Sequence, residues 1–348
     1  YNNLTDLWKN RDPQTTHINW DALYQANYAN NANNPDGPAR YIVERRHNDL
    51  QESMAHALYT NQVLPNMKLT AGMDLKASQG LHYKTMDDLL GGNQWIDWDP
   101  FADRDIKDLA ENIGLTQSDI EHVRQNDVDN PDRVIKNGDV FGYNYNINIL
   151  NASVFAQNEW NWAKVNLYYA LQFTYDEFWR EGFMKNGRAV YLAQLNALDY
   201  GNTQQAITYF DWLYKSKGEG KHHKFVDPSI KAGVKYSING RNRLKLNALA
   251  ETRAPYARDA YLSQRVHDRA INTIETHDNA TNLKEYYAAS QKNFSYDLTY
   301  EFNYPIIRGR VTAFQTWLLN GSELNGYYDD ETRTFVNQAV SPWLFQFI

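Results

Sequence analysis

The chain contains 348 residues, with 35 Lys and Arg against 42 Asp and Glu, which gives a formal net charge of −7. This charge excludes a broadly basic nucleic-acid-binding protein, and the absence of Cys excludes disulfides, thiolate metal sites and cysteine nucleophiles. No run of 18 apolar residues is present, so no helix is predicted to span a membrane.

The composition is polar and aromatic at the same time. The mean hydropathy is −0.71, yet aromatic residues make up 14% of the chain and include 25 Tyr and 10 Trp. This mixture is typical of a transmembrane β-barrel, because only alternate residues of each strand face lipid and aromatic girdles mark the two interfaces.

Apolar and polar residues alternate with a period of two along most of the chain, which predicts β-strands with one buried or lipid-facing side. The pattern is clearest from Val165 to Tyr175, a stretch long enough for a tilted strand to cross a bilayer. After Leu150 the apolar positions shift by one residue, which predicts a β-bulge. In chain order, the predicted strands cover residues 41–61, 69–77, 143–156, 165–175, 230–238, 244–250, 294–304, 310–319 and 332–340.

Short and long connections between these strands alternate strictly. The tight connections are residues 64–66, 159–163, 239–240 and 305–309, and the long ones are residues 80–139, 181–227 and 254–284. Asn239-Gly240 is a strong hairpin signal, whereas the long connections exceed the usual length of loops in compact domains. The sequence therefore predicts an all-β, antiparallel, up-and-down transmembrane β-barrel, with short turns at one rim and long extracellular loops containing short helices at the other.

About nine strands are predicted, and a bacterial barrel normally closes with an even number. Residues 1–348 are therefore expected to form a single partial barrel domain whose remaining strands lie outside this sequence. A soluble β-sandwich is the alternative, although its apolar face would be built from Val, Ile and Leu rather than Tyr. The side chains expected to face a polar lumen include Lys76, Asn146, Gln172, Lys235 and Glu301.

Aromatic residues in the long loops are candidates for ligand contact, because they can pack against sugars, peptides or planar chelates. The candidates are Trp95, Trp98, Tyr191 and Trp212. Packing of the loops against each other is the alternative. Residues 189–214 are apolar enough for a helix or a packed lid, and Thr116 with Asp119 forms a capping box that begins a short helix.

Two polar segments carry residue types that bind metals. The acidic side chains of residues 95–105 are Asp97, Asp99, Asp103 and Asp105. Their spacing is not that of an EF-hand, which favours a solvated acidic loop over a calcium site. His222 and His223 lie in a Lys-rich stretch with no evident third ligand, which again favours a solvated loop. No catalytic triad, phosphate loop or paired acid/base motif is evident, so neither an enzyme activity nor a cofactor is predicted.

Several segments resemble the TonB-dependent outer-membrane receptors of the large type, which carry an N-terminal carboxypeptidase-regulatory-like domain and a plug. One is FWREGFMKNGRA at 178–189, and another is HYKTMDDLLGGNQWIDWDPFADRD at 82–105. The others are DPSIKAGVKYSINGR at 227–241, TRAPYARDAYLS at 252–263, YPIIRGRVTAFQT at 304–316 and TRTFVNQA at 332–339. Each motif is moderately specific, and their order along the chain is more so.

The resemblance implies a 22-stranded barrel that encloses a plug in the bacterial outer membrane and takes up a nutrient actively. The implied partners are outer-membrane lipid, the plug of the same full-length chain and TonB acting through the N-terminal region, and a surface lipoprotein partner remains open. Siderophore, cobalamin, oligosaccharide and peptide remain open as substrates, because ligand choice resides in variable loops.

The sequence also departs from the family. It shows no plug, TonB box or signal peptide, and residues 341–348 do not follow the family's course. We therefore expect a middle-to-late section of the barrel. The functional alternatives are an outer-membrane porin or adhesin without a plug, and a soluble carbohydrate-binding or hydrolytic β-protein.

Overall fold

The computed structural model describes residues 2–99, 102, 116–261, 263–268, 274–277, 284–287, 289–321, 323–329, 334–340 and 344–346. Two compact units are present. The first unit comprises Tyr1–Asn48, His82–Asn144 and Met184–Arg188. The second unit comprises Asp49–Leu81, Tyr145–Phe183 and Ala189–Ile348.

The main sheet is a meander in which neighbouring strands follow chain order. Its strands are β1 (Val43–Leu64), β2 (Met67–Asp88), β5 (Val140–Asn161), β6 (Val165–Gly182), β8 (His223–Ser237), β9 (Asn242–Arg253), β12 (Gln291–Asn303), β13 (Arg308–Leu319) and β16 (Leu344–Gln346). The short strand β7 (Gly218–Glu219) pairs with β6. Within the described part of the chain the sheet does not close, and β1 and β16 lie at its edges.

Three small antiparallel ladders lie in the long connections. They pair β3 (Trp95–Ile96) with β4 (Val134–Ile135), β10 (Ile274–His277) with β11 (Lys284–Tyr287), and β14 (Glu323–Asp329) with β15 (Thr334–Val340). The predicted strand at 332–340 therefore corresponds to β15 and is not part of the main sheet. The ninth strand of that sheet is instead β16, which pairs with residues Thr316 to Leu318 of β13.

Short helices occupy the first residues of the chain and the long connections. They are α1 (Asn2–Lys9), α2 (Pro13–Thr16), α3 (Trp20–Asn33), α4 (Gln117–Val123), α5 (Gly187–Asp199), α6 (Gln204–Leu213) and α7 (Ala257–Ala260). The capping box of Thr116 and Asp119 begins α4 as predicted. Residues 189–214, predicted to form a helix or a packed lid, form a pair of helices, α5 and α6, packed through Ala193, Ala197 and Phe210. Among the described residues, no helix is both long and apolar enough to cross a bilayer.

The predicted alternation of connections is confirmed. β1–β2, β5–β6, β8–β9 and β12–β13 are joined by tight turns, whereas residues 89–139, 183–222 and 254–290 form long connections. The fold is thus an all-β, antiparallel, up-and-down sheet of the kind that forms an outer-membrane β-barrel wall, with short helices in its long loops.

One face of the sheet, here called the apolar face, carries the alternating hydrophobic side chains. Strand pairing aligns one row of them across the second unit: Ala156, Leu171, Ile230, Ala250, Phe294 and Trp317. Leu171 is 49% exposed and Ile230 is 50% exposed, so the row is not covered by another layer. Aromatic side chains collect near the short turns, where Trp160 and Trp162 stack with their ring centroids 5.6 Å apart. This is the position of an interfacial girdle.

The opposite, polar face is hydrogen-bonded from strand to strand. The Tyr168 hydroxyl donates to Asn247 Oδ1 at 3.0 Å, and Asn247 Nδ2 donates to Asp297 Oδ1 at 2.9 Å. Lys245 Nζ binds Glu301 on the next strand. The alternation of side chains also places Lys76, Gln172 and Lys235 on this face, as predicted from the sequence.

The predicted β-bulge after Leu150 is wrong. β5 and β6 pair without interruption from Tyr145↔Gly182 to Asn161↔Asn166. The apolar pattern shifts because hydrophobic side chains change faces along β5. Near the long loops they lie on the polar face, at Ile147 and Ile149, and nearer the short turn they lie on the apolar face. Asn146 therefore lies on the apolar face and not, as predicted, toward the lumen; it is buried there.

Candidate functional site

Arg180, near the long-loop end of β6, joins two long connections of the second unit to the sheet. The side chain is only 2% exposed. Its Nε donates to the Gln264 carbonyl at 2.7 Å, and its Nη1 donates to the Ser216 carbonyl at 2.9 Å. Gly182 permits this approach, because a Cβ at that position would lie 1.7 Å from the Ser216 oxygen. Arg180 thus provides the buried donors that these loop carbonyls require.

Asp268 is the acidic group of the same site. Its Oδ2 accepts a hydrogen bond from the Lys221 backbone N–H at 2.7 Å, and its own N–H donates to the Lys215 carbonyl at 2.8 Å. Burial raises the pKa of Asp268 to about 7, because the Lys221 N–H and the nearby positive charges of Arg180, Lys215 and Lys221 offset only part of the lost hydration.

Aromatic side chains form the wall beside these charges. The Phe178 ring lies 5.2 Å from His223, 5.6 Å from Phe225 and 6.1 Å from Tyr261, measured between centroids. Tyr261 is fully buried, and burial raises the pKa of its hydroxyl. We call Phe178, Arg180, His223, Tyr261 and Asp268 the rim cluster. It fixes the loop segments around Ser216 and Gln264 over the polar face at the long-loop end of β6.

The prediction of a solvated loop is wrong for His223, whereas His222 is the last residue of the long connection and is partly exposed. β8 begins at His223, well before the predicted start, and this side chain is buried against Phe178. His222 Nδ1 lies 2.6 Å from Glu177 Oε1, and its Nε2 lies 2.7 Å from Glu219 Oε1. Burial lowers the pKa of His222, but the two carboxylates outweigh this effect and raise it above its ordinary value.

The acidic segment of the first unit is also not a solvated loop where it is described. Asp97 is buried, and its Oδ1 accepts from Asn126 Nδ2 and from the Gly142 N–H, both at 2.8 Å. Its Oδ2 accepts from Arg133 Nη2 at 2.7 Å. Asp97 is therefore a structural acceptor whose oxygens are engaged, and it is a poor ligand for calcium. The predicted positions Asp103 and Asp105 lie outside the described residues.

The aromatic candidates in the first unit have structural partners. Trp95 packs beside the core of Met86, Ile135 and Phe141. Trp98 donates from Nε1 to Asp132 Oδ1 at 2.7 Å, and the Arg124 guanidinium carbon lies 3.8 Å from its ring centroid. Both rings are therefore partly covered by the protein itself.

The candidates in the second unit lie on the helical pair. Tyr191 is half-buried on α5, with a buried hydroxyl oxygen. Trp212 on α6 is 43% exposed, with the Lys221 ammonium 5.1 Å above its ring and Tyr209 at 6.1 Å. Of the four candidates, Trp212 has the most accessible ring surface, and ligand contact by any of them stays a prediction. No three His, Cys, Asp or Glu side chains in the described ranges are arranged to hold a metal ion.

Arg180 and Asp268 were not predicted as site residues from the sequence. Alternation alone places Arg180 on the polar face, where a charged residue is expected to be solvated. The available signal was Gly182, two residues further on the same face, which leaves space for another backbone to approach. Nothing local to Asp268 indicates burial, because its partners lie far away in the sequence.

The pKa of Asp268 predicts a pH-dependent loop attachment. Because burial raises this pKa from 3.8 to about 7, its contribution to stability is complete below the ordinary value and is lost as the pH rises through about 7. We expect hydrogen exchange of the 263–268 amides, corrected for intrinsic rates, to accelerate from about pH 5 to about pH 8. Asp268→Asn should remove most of this acceleration. If exchange in the wild type did not accelerate over this pH range, the raised pKa of Asp268 would be contradicted.

Comparisons with known proteins give limited information. No protein-family model matches the chain, and no curated protein matches it. A solved structure titled copper transporter OprC is similar over 84% of this chain and 33% of its own length, with 8% identity and a TM-score of 0.47. The siderophore receptor PirA from Pseudomonas aeruginosa is similar over 84% of this chain and 51% of its own, with 7% identity and a TM-score of 0.29.

The chain thus spans about a third of the first of these proteins and about half of the second. Both TM-scores are low, so the likeness adds nothing to what the sheet itself shows.

Proposed function

We propose that this chain is a section of the barrel wall of a TonB-dependent receptor that actively takes up a nutrient across the bacterial outer membrane. The observation that supports this most is the pair of unlike faces on one meandering sheet. Half-exposed Leu171 and Ile230 lie on the apolar face, and the hydrogen-bonded network through Asn247 lies on the other.

Lipid is the solvent that suits the apolar face. A row of exposed hydrophobic side chains across several strands is far larger than the patches that soluble monomers usually present to water. In a soluble sandwich a second sheet would cover this face at about 10 Å. The apolar face is instead accessible, and the polar face suits a wet lumen or an enclosed plug.

The long loops supply the receptor part of the proposal. The rim cluster holds residues 189–222 and 263–268 of the second unit at one end of the strands, where a ligand arriving from outside the cell would meet them. Trp212 offers an exposed ring for contact with a siderophore, cobalamin, an oligosaccharide or a peptide. The plug, TonB and a surface lipoprotein enter through the sequence resemblance and remain proposals.

Membrane fractionation combined with growth assays tests this function. We expect the full-length protein to fractionate with outer membranes and to migrate faster on gels before heating than after it. Growth should depend on both the gene and TonB when one of the four nutrient classes is limiting. A chain that is folded and monomeric without detergent would contradict the membrane assignment. Uptake that persists without TonB would indicate an open porin.

Trp212→Ala tests the loop contact separately. We expect about a tenfold loss of affinity for the transported nutrient, as is common for an aromatic contact residue. Leu198→Ala is the matched control, because Leu198 is also exposed on the α5–α6 pair but has no aromatic ring. An equal effect of the two substitutions would contradict a role for the Trp212 ring.

A further inference from the structure

Asp227 on β8 carries a buried carboxylate without a partner. The residue is 2% exposed, and neither Oδ1 nor Oδ2 has a hydrogen-bond partner in the described part of the chain. Buried carboxylates in folded proteins are normally hydrogen-bonded, paired with a cation or bound to a metal ion. An unpaired one is therefore either protonated or bound to a cation that the chain itself does not supply.

A second carboxylate lies beside it on the polar face. Asp227 is opposite Thr174 of β6, and Asp176 is two residues further along that strand, so the two acids are diagonal neighbours. Their charges repel each other. Asp176 Oδ1 accepts from Asn151 Nδ2 at 2.7 Å, which leaves Oδ2 available for another partner. Up to three carboxylate oxygens can therefore lie close to one point, beside the Thr174 hydroxyl, which accepts a hydrogen bond from Gln172 Nε2 at 3.2 Å.

The cationic side chains on the same face have other partners. Continuing the β8–β9 register beyond Ser229↔Glu251 brings Arg253 level with Asp227. The Arg253 guanidinium, however, donates to Gln291 Oε1 at 3.1 Å. The Lys231 ammonium lies toward the Tyr168 ring, 6.0 Å from its centroid. Neither cation forms a hydrogen bond with Asp227 in the part of the chain that the structure describes.

We propose that Asp227 and Asp176 bind one hard divalent cation, calcium, on the polar face of the sheet. Calcium accepts carboxylate, hydroxyl and water oxygens in flexible numbers, whereas magnesium demands near-ideal octahedral geometry. Two carboxylates are fewer ligands than a closed protein site provides, so water completes the coordination beside half-buried Asp176. The site uses none of the aspartates of residues 95–105 and does not depend on the proposed transport function.

Isothermal titration calorimetry of the purified full chain in detergent, with calcium as the titrant, tests this site. We expect one saturable calcium per chain for the wild type and at least tenfold weaker binding for both Asp227→Asn and Asp176→Asn. Asp297→Asn is the matched control, because Asp297 lies on the same face but both of its oxygens already accept from Asn247 Nδ2. This control should retain wild-type affinity.

A folding defect is distinguished by thermal unfolding in EDTA. Without calcium, Asp227→Asn should unfold at a higher temperature than the wild type, because it removes an unpaired buried charge. Calcium should raise the unfolding temperature of the wild type only. Absence of saturable binding, or unchanged binding by Asp227→Asn, would overturn the proposal. The proposal would also be overturned if Arg253→Gln lowered the unfolding temperature and calcium left the unfolding temperature of the wild type unchanged. Arg253 would then be the partner of Asp227.

Discussion

Replacing Leu171 by Arg is expected to lower the free energy of unfolding of the membrane-inserted protein by about 2–4 kcal/mol. Leu171 is 49% exposed on the apolar face, between Ala156 of β5 and Ile230 of β8. A guanidinium at this position would have to leave water for the hydrocarbon region, and its directly opposite neighbours, Ala156 and Ile230, offer no polar side chain to receive it. Denaturant titration of the variant in lipid vesicles measures the loss.

Gln172→Arg is the matched control, one residue further along β6. Gln172 lies on the polar face between Phe155 and Ser229, where an arginine can remain hydrated or hydrogen-bonded. We expect this substitution to change the free energy of unfolding by less than about 1 kcal/mol. Equal tolerance of arginine at the two positions would contradict the assignment of the faces.

Replacing Arg180 by Met is expected to cost about 3–5 kcal/mol of local stability at the long-loop rim. Met fills a similar volume but donates no hydrogen bond, so the carbonyls of Ser216 and Gln264 lose their buried donors. The Asp268 carboxylate also loses a compensating charge. Hydrogen exchange of residues 263–268, with the strands of the sheet as an internal reference, measures the opening of the loop.

A double variant separates the charge effect from the loss of packing. Arg180→Met with Asp268→Asn should recover part of the stability, because the remaining buried carboxylate is neutralised. Arg180→Lys should recover less than full stability, because one ammonium cannot reproduce the planar fork that reaches both carbonyls. If residues 263–268 of Arg180→Met exchanged hydrogen at the same rate as in the wild type, the rim cluster would not be what holds the loop.

The meander could be predicted because its strands have one apolar and one polar face. In β6 the alternation from Val165 onward is dictated by residues adjacent in sequence, so it is readable without any tertiary information. The tight turns are equally local, as the Asn239-Gly240 dipeptide shows. The same rule fails in β5, because the hydrophobic side chains change from the polar face at Ile147 and Ile149 to the apolar face nearer the short turn. The resulting shift of the apolar pattern at Leu150 looks like a β-bulge in the sequence. The continuous β5–β6 register excludes one.

The site was less predictable because it depends on distant partners. Asp97 looked like one of four solvated acids, yet Asn126, Arg133 and Gly142 bury it. Arg180 likewise acquires its role from loop carbonyls that are 36 and 84 residues away in sequence. Helix α3 was missed because its Asn-rich sequence carries no apolar stripe; Asn19 caps its start by accepting from the Ala22 N–H at 3.0 Å.

Site-directed spin labelling of β6 in lipid vesicles tests the assignment of the two faces most directly. The chain has no native Cys, so single cysteines can be introduced one at a time along residues 165–175. Labels on the face of Leu171 should collide with oxygen dissolved in lipid, whereas labels on the face of Gln172 should collide with a water-soluble nickel chelate. We predict that the two accessibilities alternate with a period of two and in opposite phase. Accessibilities that do not alternate, or oxygen contact that is equal on both faces, would contradict the account.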